Sequence, residues 1–269
     1  EDGPFRLLSV LDGDGMDAVG REDGVGTIYH LAAILSAAGE KNPDLCQRVN
    51  VGGMTNVLET AMNNDLRVYA PSSIAVFGPD APKIAAQDSP LNPTTTYGET
   101  KRTGEALAGD YLASFGVDCR GIRYPGLVSW QAPAGGGTTD YAVEIFHAAL
   151  EKGHYECFVG PDTRLPMMYI DDAIRATLEL MDAPAESLGS SRAGYNVSGI
   201  SFTALELADA IAERIDGFTC DFVPDERQAY ADSWPAAVDD SAAREDWGWE
   251  AEYDLDAMVD AMIEGLSTS

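Results

Sequence analysis

Tyr97 and Lys101 stand four residues apart in the stretch Thr96-Tyr97-Gly98-Glu99-Thr100-Lys101, with the dipeptide Ser72-Ser73 upstream. On a helix that spacing puts both side chains on one face, with Cβ atoms about 5–6 Å apart. A phenol, an ammonium and a hydroxyl that converge can remove a proton from an alcohol. A tyrosine titrating near ~10 needs about 4 kcal/mol of help to act as a base near pH 7. An ammonium ~4.5 Å away contributes roughly 3–4 kcal/mol at an effective dielectric of ~20. The spacing therefore predicts a depressed Tyr97 pKa. Tyr-x-x-x-Lys alone recurs by chance, and its weight here comes from three neighbours. These are His30-Leu31-Ala32-Ala33, Asn50-Val51-Gly52-Gly53 and Arg123-Tyr124-Pro125-Gly126.

The elements that must position these residues alternate in type. Val25 to Leu31 reads as a buried strand, and Arg67 to Ser73 as another ending in the serine pair. Between them, Pro43 to Asn63 reads as one helix, with Asn42 as its cap and Pro43 as its first residue. Tyr97 to Phe115 is a helix stopped by Gly116, and Val117 to Tyr124 the next strand. Strands alternating with helices of this length predict a parallel sheet with crossover helices, which binds ligands at the strands' C-terminal edge. After Gly126 the rhythm changes. A flexible Ala134–Asp140 loop leads to helices over Tyr141–Lys152, Ile170–Met181, Thr203–Ile215 and Leu255–Leu266, with a short strand at Tyr195–Val197. The expected architecture is α/β, a doubly wound parallel sheet with a smaller α/β substrate domain. Residues 1–128 would form a partial cofactor-binding domain. Residues 129–269 would be mainly substrate-binding, with some elements returning to the first domain.

Composition narrows the class. Seventeen Lys and Arg against 45 Asp and Glu leave a net charge of −28. That opposes nucleic-acid binding through a basic face and docking on anionic membranes. No apolar run approaches ~18 residues. Only four cations are lysines, Lys41, Lys83, Lys101 and Lys152. A carboxylate-rich, lysine-poor surface stays soluble when salt screens charge repulsion, so a halophilic, cytoplasmic protein is expected. Cys46, Cys119, Cys157 and Cys220 have no metal-binding or disulfide spacing, and no metal is expected.

Taken together, these motifs resemble the extended short-chain dehydrogenases/reductases, Rossmann enzymes that use NAD(P), over nearly the whole chain. The resemblance implies that Val76-Phe77-Gly78 selects Ser73 over Ser72 as the group that positions the substrate oxygen. Tyr97 would be the acid/base, and Lys101 would hold the nicotinamide ribose and tune Tyr97. Leu31, Ala32 and Ala33 would pass under the cofactor, Tyr124, Pro125 and Gly126 would flank the nicotinamide, and Ser9 and Val10 would lie beside the adenine. Three stretches are similar to the threonine-oxidising branch of the family: Ala32–Ala37, Gly135–Ala142, and Tyr155–Phe158 running on to Arg164–Asp172. That branch implies NAD-dependent oxidation of the L-threonine β-hydroxyl to 2-amino-3-oxobutyrate, with Ser36, Ser73, Tyr97, Thr138 and Thr139 around the substrate. It also implies a homodimer. A nucleotide-sugar epimerase or dehydratase, or a non-catalytic sensor, remains as an alternative.

Several residues keep a second reading. Ser36, Thr138 and Thr139 could be helix caps. Arg164 could meet a substrate carboxylate or pair with Asp171 or Asp172. Asn50 could be a structural hydrogen-bonder within its helix, and His30 a core residue. The family's G-x-x-G-x-x-G turn, which seats a pyrophosphate on a helix N-terminus, has no counterpart in residues 1–269. Arg6 to Asp12 would correspond to the family's third strand. The chain is therefore expected to be part of a longer protein and to bind NAD weakly by itself.

Overall fold

The computed structural model describes residues 5–268. Its first half is built on a parallel sheet. Thr27–Tyr29 pairs with Arg67–Tyr69, which pairs with Cys119–Arg120. The same two inner strands resume as Ser72–Ser73 and Ile122–Tyr124, and Tyr195–Asn196 joins on the far side. The interruptions fall at Pro71, which has no N–H for the ladder, and at Gly121. Gly121 instead bonds Arg192 and Tyr195. Tyr195–Asn196, from beyond position 190, thus joins the first sheet.

Both faces of this sheet are covered. On one, Met54, Val57, Leu58, Ala61 and Ala108 pack over Val68 and Cys119. On the other, Ala173, Ala176 and Leu180 join Tyr195 and Trp249 over Tyr69 and Ile122. This is the doubly wound arrangement expected. The second half contains a mixed sheet of Gly126–Val128, Arg164–Tyr169 and Ile200–Thr203, and a parallel pair of His154–Cys157 with Thr219–Phe222. Its core is the largest in the molecule and includes Tyr141, Phe146, Leu165, Phe202, Leu207, Met258 and Met262.

The helix Tyr141–Lys152 has the predicted bounds, and Gly116 ends Thr96–Phe115 in a left-handed turn at φ 75°. Asn42 caps Pro43–Gln47 by accepting the Leu45 N–H at 3.2 Å. The expected single helix through Asn63 is, however, interrupted. Arg48–Gly52 opens into a wide π-type turn before Gly53–Asn64. Such turns insert one residue and redirect the side chains around it.

Residues 6–12 differ more. They form no strand: Ser9 and Val10 enter a turn closed by the Asp12 N–H to the Ser9 carbonyl at 2.9 Å. Asp12 then caps the helix Gly13–Glu22 through the Gly15 N–H. An extended segment needs a ladder partner, and among the described residues Thr27–Tyr29 pairs only with Arg67–Tyr69. The side chains of Phe5 and Leu7 are largely exposed.

Candidate active site

Thr95 caps the Thr96–Phe115 helix by accepting the Gly98 N–H at 3.1 Å. Gly98 is required here, because a Cβ would lie 2.2 Å from the Ala75 carbonyl oxygen. The helix start is thereby pressed onto the turn that follows Ser73, which brings Tyr97 to the serine. Glu40 completes the docking by accepting the Thr96 hydroxyl and the Tyr97 N–H. Lys101, one turn on, donates to the Pro71 carbonyl at 2.7 Å, and its Nζ lies 5.6 Å from the centre of the Tyr97 ring.

Ser73, Tyr97 and Lys101 line a cleft of about 330 Å³ at the C-terminal edge of the sheet. Leu31, Ala33, Ser36, Tyr124, Pro125, Gly126, Thr138 and Thr139 line the same cleft, as does Trp234. Most of the residues named from sequence therefore meet. Ala32 does not line this cleft; it lines a smaller, partly open cavity that shares Ala33, Pro71, Ser72 and Lys101 with it. Ser9 and Val10 line neither space. Val10 instead accepts the Asn56 side-chain N–H at 2.8 Å.

The alternative readings resolve individually. Ser36 is the first residue of the helix Ser36–Lys41 and makes no cap bond. Neither threonine caps Tyr141–Lys152, whose cap position is Asp140. Asp140 turns back instead and accepts the Gly136 and Gly137 N–H groups, each at 2.6 Å, which latches the glycine run. Arg164 meets neither Asp171 nor Asp172. It pairs with Glu206 at 2.6 Å and donates to the Ser201 carbonyl, because its strand runs beside Ile200–Thr203. Asn50 reaches beyond its helix. It binds both backbone groups of Ile34, at 2.7 and 3.0 Å, and donates to the Thr100 hydroxyl at 3.0 Å. The π-type turn is what aims it there. Sequence reasoning missed Trp234, Glu40 and the Glu105–Arg123 pair behind Ser72, none of which has a local signature.

The electrostatics correct the expected depression of Tyr97. Burial pushes its pKa up to about 12, with the Ser73 hydroxyl pulling the other way. Lys101 itself is lowered by burial to about 8. Desolvation dominates both shifts, and the ammonium sits against the Pro71 carbonyl rather than the phenol. In this state Tyr97 is a protonated phenol, suited to donate. Among the described residues, no group of three or more His, Cys, Asp or Glu side chains is placed to hold a metal ion. Among the described residues, no helix is long and apolar enough to cross a membrane.

The donor set fits the nicotinamide end of a dinucleotide. Lys101 carries three N–H donors and gives one to Pro71, which leaves others for ribose hydroxyls. Leu31, 70 % exposed at a strand end, offers an apolar floor for a flat ring.

Comparison with known proteins agrees with this geometry. Residues 2–197 match the NAD dependent epimerase/dehydratase family. The chain is 45 % identical over 263 residues to the mitochondrial L-threonine 3-dehydrogenase of Bos taurus, covering 97 % of this chain and 70 % of that protein. It is similar in structure to L-threonine dehydrogenase from Phytophthora infestans, with a TM-score of 0.96 and 48 % identity, covering 99 % of this chain and 86 % of the other. A monomeric L-threonine 3-dehydrogenase from a metagenome gives a TM-score of 0.94 and 50 % identity, covering 100 % and 88 %. The expected cytoplasmic location is corrected by the Bos taurus relative, which is mitochondrial by name. Acidic composition reports on solubility and does not distinguish one aqueous compartment from another. The chain belongs to the NAD dependent epimerase/dehydratase family and is an NAD-dependent oxidoreductase of its threonine-dehydrogenase-like branch.

Proposed function

We propose that this chain oxidises L-threonine at its β-hydroxyl to 2-amino-3-oxobutyrate, with Tyr97 as acid/base, Ser73 holding the reacting oxygen and Lys101 tuning Tyr97. The observation that carries the reading is the convergence of these three side chains with Thr138 and Thr139 on one cleft of about 330 Å³. A small zwitterion needs hydroxyl groups at close range, and Ser36, Ser73, Thr138 and Thr139 line the cleft beside Tyr97. NAD, held by Lys101 and the Leu31 strand end, would supply the hydride acceptor. Tyr97 takes the hydroxyl proton as the C–H electron pair leaves, and Ser73 keeps the oxygen in reach. Bringing the phenol from about 12 toward neutrality is then the chief electrostatic task of the bound state. Lys101 is the one cationic side chain lining the cleft among the described residues, which supports an amino acid over a nucleotide diphosphate sugar.

The cofactor contacts at Leu31, Ala32, Ala33, Tyr124, Pro125 and Gly126 belong to the same reading, as does the division near residue 128. The homodimer and the halophilic surface are part of it too. Against the dimer stands the metagenomic relative, which is monomeric by name. NADH formation from a panel of amino acids and UDP-sugars tests the function. Turnover with threonine above the other amino acids supports it, and turnover with a UDP-sugar alone overturns it.

A further inference from the structure

Glu105 lies one helical turn beyond Lys101 and is nearly sealed from water. Its side chain is 10 % exposed, against 7 % for the Arg123 guanidinium that grips it. Arg123 Nε and Nη2 reach the carboxylate at 2.9 and 2.8 Å. The Ser72 hydroxyl donates to the same carboxylate. Arg123 Nη1 continues to the Gln87 carbonyl at 3.1 Å and to Asn196 Oδ1 at 3.2 Å. Gly194 permits the arrangement, since a Cβ there would lie 2.5 Å from the carboxylate carbon of Glu105. One carboxylate thus ties the Tyr97 helix to the strand ending in Ser73, to the strand ending in Tyr124 and, through Arg123, to the Tyr195–Asn196 strand.

Stability is a weak reason for such a knot. Desolvating two ions costs several kcal/mol each, and an apolar pair of similar volume often does as well. A second observation gives it a role. Glu105 and Lys101 line the same partly open cavity of about 30 Å³, together with His30, Asn50, Ser72 and Thr100. With Glu105 itself nearly sealed from water, its carboxylate acts on a neighbouring ammonium more strongly than it would in bulk water.

Resting on the reading that Tyr97 and Lys101 carry the proton chemistry, we propose that Glu105 is a positioning residue for the reaction, fixing Ser73 against Tyr97 and holding Lys101 in its charged form. Cys46 acts on Lys101 in the same direction, and Glu105 is the carboxylate that does so. From the Thr27–Tyr29 strand end comes His30, kept neutral near pH 7 because burial and Lys101 lower its pKa to about 4. From Pro43–Gln47 comes the Cys46 thiol, which burial pushes up. Ser72 and the Pro71 carbonyl, from the neighbouring strand, are uncharged. Tyr97, on the same helix, is a neutral phenol, and Glu40 is bound to the N-terminus of that helix. Arg123 stands behind Glu105 and acts in the opposite sense. Glu105 works against the desolvation that lowers Lys101 to about 8.

The test is Glu105→Gln, which keeps the shape and removes the charge. A Lys101 that sheds its proton at lower pH gives less support to a Tyr97 phenolate, so Tyr97 becomes a base only at higher pH. The acid limb of kcat is expected to move alkaline by at least about half a pH unit, with KM for NAD within about threefold. Glu105→Gln leaves Arg123 buried and unpaired, so Glu105→Gln/Arg123→Gln is measured beside it. Removing both charges is expected to give an alkaline shift between wild type and the single variant. A wild-type limb in either folded variant overturns the proposal. Wild type that forms NADH from another alcohol but not from threonine fails the substrate reading instead, and the limbs are then compared on that alcohol.

Discussion

Around Tyr97 and Lys101 the buried groups are polar and paired, whereas behind Thr138 and Thr139 they are apolar. The first region relies on Asn50 between Ile34 and Thr100, Lys101 on Pro71, and Glu105 with Arg123. The second rests on Tyr141, Ile145, Phe146, Leu165, Phe202 and Met262, packed without a buried ion pair among them. The contrast reflects two tasks. Hydrogen bonds fix direction, and a reacting hydroxyl must be aimed. An apolar core fixes position without charge, which suffices for a loop that contributes backbone and two threonines.

Perturbing each region by its own logic tests this contrast. The largest effect is expected in the polar region with Tyr97→Phe, which removes the acid/base and little else. A loss of roughly 10²–10⁴ in kcat should accompany nearly unchanged melting. Steady-state kinetics decide it, and a loss below about tenfold rejects Tyr97 in this role. Next comes the apolar region. Phe146→Ala should cost about 3–5 kcal/mol in denaturant unfolding, since the ring is fully buried. Leu7→Ser, at a side chain 93 % exposed, should change stability by less than about 0.5 kcal/mol. Comparable losses at both positions would dissolve the contrast.

His30 gives a third, pH-dependent test. Its pKa is about 4 in the fold against 6.5 in the open chain, so the unfolded state binds the extra proton between those values. Stability is therefore full above about pH 6.5 and falls by roughly 2–3 kcal/mol as pH drops to 4. His30→Gln should flatten that part of the stability–pH curve, and an unchanged slope assigns the loss to other groups. The smallest effect is expected from salt. A net charge of −28 should make unfolding free energy rise by about 1 kcal/mol or more between 0.1 and 2 M KCl. Kinetics of wild type at fixed pH should change less, because the polar contacts near Tyr97 are shielded. A melting temperature independent of salt removes the halophilic reading.

Local signals carried well into three dimensions. Asn42-Pro43 started its helix, Gly116 ended another, and Tyr97 met Lys101 and Ser73 because spacing of four and a strand end are visible in the chain. What escaped is non-local. The strand Arg164–Tyr169 is buried along nearly its whole length, so it shows no period-two alternation. Glu105 and Arg123 are 18 residues apart, and Trp234 joins the cleft from more than a hundred residues beyond Tyr97. Segment 6–12 has strand-like composition, but the Asp12 cap and the missing ladder partner decided otherwise. The Tyr97 pKa failed for a different reason. Sequence spacing conveys the attraction of Lys101 but not the desolvation that opposes it.

The Asp140 latch has a consequence for traffic. An envelope this acidic repels anions, yet a dinucleotide and an amino-acid carboxylate must both enter. Among the described residues lining the cleft, Asp140 is the one acid, and its charge is turned into the loop and met by two peptide N–H groups. The one carboxylate on the wall of the site is thereby met by peptide dipoles, and the Lys101 ammonium lines the same wall. Anionic guests meet their barrier at the surface, where dissolved salt thins it, and meet almost none at the wall they finally touch.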